Sequence, residues 1–226
     1  MYNYIVDWEE FIFISKFLKQ DDHVCDIGTN IGFYTIWMSK FIKYGKIHSF
    51  EPDDINFNRL ENNVKLNALN NIVSLNKLIV SETNGKLNFT EQLDGENHIT
   101  NNLDSKGVQK DSVQLDTYSE DKQITTFKFV KIDTEGFELS VLMGAKKLLD
   151  QKKIKVIQLE INAGLKTSNI EPKDLINYLL SKDYKLCRYD VLNNQLCYTN
   201  YQPSKENYFA TYDLDGVNSL LSQKNN

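Results

Sequence analysis

Val24-Cys25-Asp26-Ile27-Gly28-Thr29-Asn30-Ile31-Gly32-Phe33-Tyr34-Thr35 is the stretch that decides the fold. Val24 and Ile27 suit a buried central strand. Gly28 lets the backbone turn sharply with no side chain projecting at a ligand. Beyond Gly32 the apolar residues Phe33, Ile36, Trp37 and Phe41 recur at helical spacing. Strand, glycine turn and helix, in that order, open an α/β sheet whose ligands sit outside the carboxyl ends of its strands.

The spacing narrows the ligand. A dinucleotide fingerprint, G-x-G-x-x-G, needs a middle glycine for the pyrophosphate and a third for close helix packing. Here Gly28 and Gly32 stand alone, with Thr29 and Asn30 in the turn. Such a turn suits a smaller, non-phosphate group, such as the amino-acid end of S-adenosylmethionine. Glu51 closes the second strand, Lys46-Ile47-His48-Ser49-Phe50-Glu51-Pro52, 25 residues after Asp26. A carboxylate there can accept hydrogen bonds from both ribose hydroxyls. By itself the turn can be merely structural; with Phe50-Glu51-Pro52 it favours an adenosine ligand.

Outward from this unit, residues 7–19 carry Trp8, Phe11, Ile12, Ile14, Phe17 and Leu18, a helical stripe that should lean on the sheet. The helix after Gly32 is expected to run to Tyr44-Gly45, with the glycine as its stop. Asp53-Asp54 should cap a helix reaching about Leu69. Ile72 through Ser81 reads as a third strand; Leu78-Ile79-Val80 would flank an adenine ring or serve simply as sheet core. From Thr83 to Thr126 the pattern changes. Leu87 and Phe89 alternate with polar neighbours, as do Val113 and Leu115, so each pair marks a half-buried strand. Between them, Leu93 through Gly107 is polar, contains His98, and reads as a cover over an acceptor pocket or as disorder without function.

Phe127 to Ile132 is the next strand, with Asp133 at its carboxyl end, and Val141, Leu142, Ala145, Leu148 and Leu149 stripe the helix that follows. Ile154 to Ile161 is the fifth strand, with Glu160 near its end. A helix from about Pro172 to Lys182 precedes strands Tyr184–Asp190, Gln195–Thr199 and Tyr208–Tyr212, expected to close the sheet in antiparallel fashion. The polar tail, 213–226, should fray. No repeat or linker interrupts the chain, so 1–226 reads as one domain, with an N-terminal helix in 1–21 and an insertion at 83–126.

The net charge of −5 argues against a nucleic-acid partner, which would need a basic patch to meet phosphate. No apolar run approaches the ~18 residues that would cross a bilayer. Asp7, Glu9 and Glu10 stand where an export signal would carry positive charge. Three cysteines without metal-ligand spacing point to free thiols, and the expectation is a cytoplasmic protein.

Asp26-Ile-Gly-Thr-Asn-Ile-Gly32, Phe50-Glu51-Pro52, Asn62-Asn63 with Leu66-Asn67, Leu115-Asp116, Lys131-Ile-Asp133-Thr-Glu135-Gly136-Phe-Glu138 and Val141-Leu142-Met143-Gly144-Ala145 resemble the FkbM-type S-adenosylmethionine-dependent methyltransferases. The similarity runs from about Asp22 to Glu160, and Lys-Ile-Asp-x-Glu-Gly is its most specific part. The resemblance implies a Rossmann-like, mostly parallel seven-stranded sheet of order 3-2-1-4-5-7-6, with a β-hairpin inserted between strands 3 and 4. It also implies methyl transfer to a hydroxyl on a carbohydrate or small-molecule acceptor, commonly a sugar of a surface polysaccharide, glycolipid or metabolite. Thr29 stands where the family usually has alanine. The candidate cofactor contacts are Asp26, Gly28, Thr29, Asn30, Gly32, Tyr34, Thr35, Glu51, Pro52, Ile79 and Asp133. Neither the oligomeric state nor the acceptor is specified.

Methyl transfer is an in-line displacement, for which positioning supplies much of the rate. A base that takes the hydroxyl proton would help, and Asp133, Glu160 and His98 are the catalytic candidates. Each has a plainer reading: Asp133 as a cap for a helix beginning near Glu135, Glu160 as a partner for Lys131, His98 as a solvated loop residue. Glu135 and Glu138 fit a helix N-terminus better than chemistry. A divalent metal such as Mg on Asp133, Glu160 and Asn162 is conceivable from the oxygen ligands, though the spacing does not demand it. Two rival functions are a non-catalytic binding module on the same fold and a nicotinamide oxidoreductase, the latter weakened by the missing middle glycine.

Overall fold

The computed structural model of the protein describes residues 7–90, 107–161 and 170–223. Helix α1 (Trp8–Phe17) leads into β1 (His23–Ile27), α2 (Phe33–Ser39), β2 (Lys46–Phe50), α3 (Asp54–Leu66) and β3 (Val73–Asn76). Three short strands follow, β4 (Ile79–Val80), β5 (Gly85–Thr90) and β6 (Gly107–Val113), then α4 (Leu115–Asp121). The chain resumes the main sheet with β7 (Phe127–Ile132), α5 (Glu138–Gly144), α6 (Lys146–Asp150) and β8 (Ile154–Glu160). It ends with α7 (Pro172–Ser181), β9 (Lys185–Asp190), β10 (Gln195–Tyr198), β11 (Asn207–Thr211) and α8 (Leu214–Ser222).

The main sheet runs β10-β9-β11-β8-β7-β1-β2-β3. Strands β3, β2, β1, β7 and β8 are parallel, and β11 joins β8 and β9 in antiparallel pairing. With the insertion strands left out, this is the expected 3-2-1-4-5-7-6 order. One further edge strand, β10, extends it from seven strands to eight. The parallel strands read as apolar runs because helices cover both faces. Phe13, Ile14, Phe17, Met38, Leu60 and Val64 pack one face, and Tyr118, Leu142, Leu149, Leu175 and Leu179 the other. On the first face Phe13 lies 4.4 Å, centroid to centroid, from Phe209. Each such fully buried side chain contributes about 1.5–3 kcal/mol.

Five expectations are corrected. The third strand is broken: Asn76 Nδ2 donates to the Ser49 and Ser74 carbonyls at 3.2 and 2.9 Å and ends β3, while Ile79–Val80 leaves to pair with β6. A second sheet, β4-β6-β5, results, so the insertion is more than a hairpin. Leu115 starts a helix, its side chain sharing a buried face with Tyr118 and Ser119 three and four residues on. Helix α2 stops at Ser39; beyond it the N–H groups of Lys43, Tyr44 and Gly45 all turn back to the Gln20 carbonyl. The tail is not frayed through 223: Asp213 caps α8 by accepting the Gly216 N–H at 2.9 Å, and Val217 and Leu221 are fully buried.

The inserted sheet is tied to the main body by Asp54 at the start of α3, which pairs with both Lys77 and Lys110. Those two ammonium groups hold its carboxyl below the usual range. Cys25, Cys187 and Cys197 are free thiols. Among the described residues no helix is long and apolar enough to cross a membrane.

Candidate active site

At the end of β1 the N–H groups of Gly28 and Thr29 both donate to the Phe50 carbonyl, at 3.1 and 3.0 Å, closing the turn onto β2. Gly28 has φ +76°, and a Cβ there would lie 1.7 Å from the Asp133 carbonyl oxygen. Only glycine fits such a position. The backbone at Asp133 is fixed from the other side, since its N–H donates to the Ile27 carbonyl at 3.0 Å. Thr29 turns inward: its hydroxyl donates to the Asp26 carbonyl at 2.9 Å and accepts the Phe50 N–H at 3.1 Å.

Asn30, at φ +53°, aims its N–H at Glu51 Oε2, 2.8 Å away, while Glu51 Oε1 accepts from the Asp53 N–H at 2.9 Å. Glu51 is 6% exposed, and burial pushes its carboxyl up to about 7 against the pull of those two N–H groups. These groups face a cleft with a cavity volume of about 100 Å³. Gly28, Asn30, Glu51, Pro52 and Asn56 line one side, and Leu78, Ile79, Val80 and Phe89 form an apolar wall. Asp133, Thr134, Glu135 and Phe137 also line it.

Asp133 does not cap a helix, because α5 begins five residues later, at Glu138. Glu138 does the loop's structural work, its Oε1 accepting from the Thr134 and Gly136 N–H groups at 2.9 and 3.2 Å and from the Thr134 hydroxyl at 3.0 Å. Asp133 Oδ2 instead accepts from Lys131 Nζ at 2.8 Å, and its carboxyl is in hydrogen-bond contact with Glu160. Burial would raise the Asp133 carboxyl, but the Lys131 ammonium outweighs it and holds the group below the usual carboxylate range.

Of the sequence candidates, Gly28, Asn30, Glu51, Pro52, Ile79 and Asp133 share this cleft. Asp26, Thr29, Gly32, Tyr34 and Thr35 do not line it; they lie beneath or beside it. Asp26 and Thr35 are fully buried and hydrogen-bonded to each other at 2.7 Å. Tyr34 packs on Phe11 and accepts from Gln158 Nε2 at 2.9 Å. Gly32 gives Leu60 room to approach. Glu160 stands beside Asp133, whereas His98 and Asn162 fall outside the described residues. No cluster of three or more His, Cys, Asp or Glu suited to a metal occurs among the described residues. Phe89, Asn56 and Phe137 were missed. Phe137 lay within the quoted Glu-Gly-Phe-Glu motif, but Phe89 comes from a strand whose partner lies some twenty residues away.

Residues 26–186 match the Methyltransferase FkbM domain. The chain belongs to this family. A curated relative of the FkbM-family chain is the hexuronic acid methyltransferase AglP of Haloferax volcanii, 28% identical over 166 residues. That match covers 71% of this chain and 62% of AglP, so the chain spans less than two thirds of its relative. Among solved structures, methyltransferase FkbM from Methylobacillus flagellatus KT superposes with a TM-score of 0.57 at 21% identity, over 86% of this chain and 44% of that one. A putative rRNA methylase from Clostridium thermocellum gives 0.55 at 15% identity, over 93% and 97%. These two likenesses show that the FkbM-family chain shares their Rossmann-like fold.

Proposed function

We propose that this chain is an S-adenosylmethionine-dependent O-methyltransferase acting on a sugar hydroxyl. The observation that carries the reading is the cleft that holds Glu51, an apolar slot and Asp133 together. The residues suit the cofactor. Glu51 is anchored by one N–H on each oxygen and keeps lone pairs for two ribose hydroxyls. Leu78, Ile79, Val80 and Phe89 offer a purine a dry wall. The Asp133 carboxylate in the lining favours a cation beside it. The sugar acceptor draws support from the family and from the name of its relative AglP.

When bound, the cofactor supplies an electrophilic methyl group. Asp133 would orient the acceptor hydroxyl and take its proton as the oxygen begins to bond carbon. An oxygen in that state is strongly acidic, so a carboxylate of low basicity suffices. Glu160, in contact with Asp133, can relay or share that proton. The test is to incubate the protein with S-adenosylmethionine and pooled sugars, uronic acids included, and to follow S-adenosylhomocysteine release. Calorimetry with S-adenosylhomocysteine runs alongside. Binding with release upholds the reading; failure to bind the cofactor product removes it.

A further inference from the structure

Parallel register places Ser49, Asp26, Lys131 and Gln158 side by side across β2, β1, β7 and β8. Register partners in a parallel sheet point to the same face, so these four form one polar row. All are buried, Lys131 at 5% exposed. Helix α2 roofs the row. Thr35 Oγ1 bonds Asp26 Oδ2 and Ser49 Oγ, each at 2.7 Å, and the Tyr34 ring lies over Lys131 Nζ, 4.6 Å from it, with its hydroxyl on Gln158. The buried oxygens Asp26 Oδ1 and Gln158 Oε1, on the strands flanking Lys131, have no hydrogen-bond partner.

An ammonium this deep persists only if charges and acceptors surround it. Lys131 has Asp26 on one flank, Gln158 on the other, an aromatic face above it, and Asp133 and Glu160 toward the cleft. Two residues on, the same strand face delivers Asp133, which Lys131 holds at 2.8 Å. With Lys131 on one oxygen and Glu160 in contact, the Asp133 carboxylate is held from two directions.

We propose that Lys131 is a positioning residue: anchored by the buried row, its ammonium holds one oxygen of Asp133 and so sets the orientation of the carboxylate toward the acceptor hydroxyl. This rests on Asp133 being the proton acceptor. The groups facing Asp133 are Lys131 on its own strand, Asp26 on β1 and Glu160 on β8, with the Tyr34 ring from α2 over the ammonium. Lys131 is the one cation among them, and its direction of influence on Asp133 is downward.

The experiment compares Lys131→Met, Lys131→Arg and the parent protein by 13C NMR titration of the Asp133 carboxyl and by the pH profile of kcat. In the parent, Asp133 is expected to titrate below the exposed aspartates. In Lys131→Met its titration and the acid limb of kcat should both move up by about 1–3 pH units. Affinity for S-adenosylhomocysteine should stay within about threefold, and Lys131→Arg should restore the acid limb. A parent Asp133 that titrates with or above the exposed aspartates overturns the proposal even if Lys131→Met fails to fold. So does an unmoved Asp133 in a folded Lys131→Met. If the NMR titration moves while the acid limb of kcat does not, the role of Asp133 as proton acceptor fails while its hold by Lys131 stands.

Discussion

Glu51→Gln separates the cost of burying the cleft carboxylate from its proposed use. Folded, Glu51 has its carboxyl pushed by burial from 4.5 to about 7. The unfolded chain therefore releases this proton while the native protein still holds it. Stability falls as pH rises from about 4.5 to about 7 and is level above that. At 1.36 kcal/mol per unit, the loss is ~0.8 kcal/mol at pH 5 and ~3.3 kcal/mol at pH 8, a difference of about 2.5 kcal/mol. Glutamine has no such dependence. It also leaves one of the Asn30 and Asp53 N–H groups facing an amide NH2, a penalty of ~1–3 kcal/mol. That penalty does not vary with pH, so it cancels in the comparison. Urea unfolding at both pH values should show the variant gaining about 2.5 kcal/mol on the parent between pH 5 and pH 8, while its affinity for S-adenosylhomocysteine falls. A stability difference that stays constant with pH would refute the reasoning.

Gly28→Ala combines a left-handed φ with an overlap on the Asp133 carbonyl, and thermal denaturation should show a loss of several kcal/mol together with weaker cofactor binding. Asp133→Asn should abolish turnover while calorimetry still detects the cofactor product; near-normal methyl transfer would remove Asp133 from the chemistry. His48, bonded at 3.0 Å to the Tyr118 hydroxyl, is pushed by burial and by His23 down to about 4. The unfolded chain takes up its proton first as pH falls below 6.5, which costs the native state ~2 kcal/mol by pH 5. Chemical denaturation of His48→Gln should lack that acid loss; an unchanged slope with pH would contradict the shift.

The parallel core was legible because strands buried on both faces concentrate apolar residues, as in Phe127, Phe129, Val130 and Ile132 or Ile154, Val156, Ile157 and Leu159. Gly28, Asn30, Glu51 and Asp133 were legible as neighbours because they stand at the carboxyl ends of adjacent strands. The break after Asn76 was not. Val73 to Val80 is apolar enough for one strand, and what divides it is a side-chain amide bonding the Ser49 carbonyl on β2 and the Ser74 carbonyl on its own strand. Leu115 misled because two residues after Val113 fits a strand as well as it fits a helix start. Val217 and Leu221 sit in a polar tail whose helical spacing is only four residues long. Lys131 was visible as a motif residue, but its orientation depends on Asp26 and Gln158, which stand more than 100 residues apart in the chain.

The divided third strand bears on any exchange of the variable region between relatives. Because Ile79 and Val80 hydrogen-bond to β6 rather than to the main sheet, the apolar wall of the cleft travels with the insertion. A chimera spliced at Thr83 would part that wall from its supporting strand. One spliced between Asn76 and Lys77 would carry the wall across intact, provided the recipient supplies an acidic residue at the start of its third helix to meet the incoming lysines.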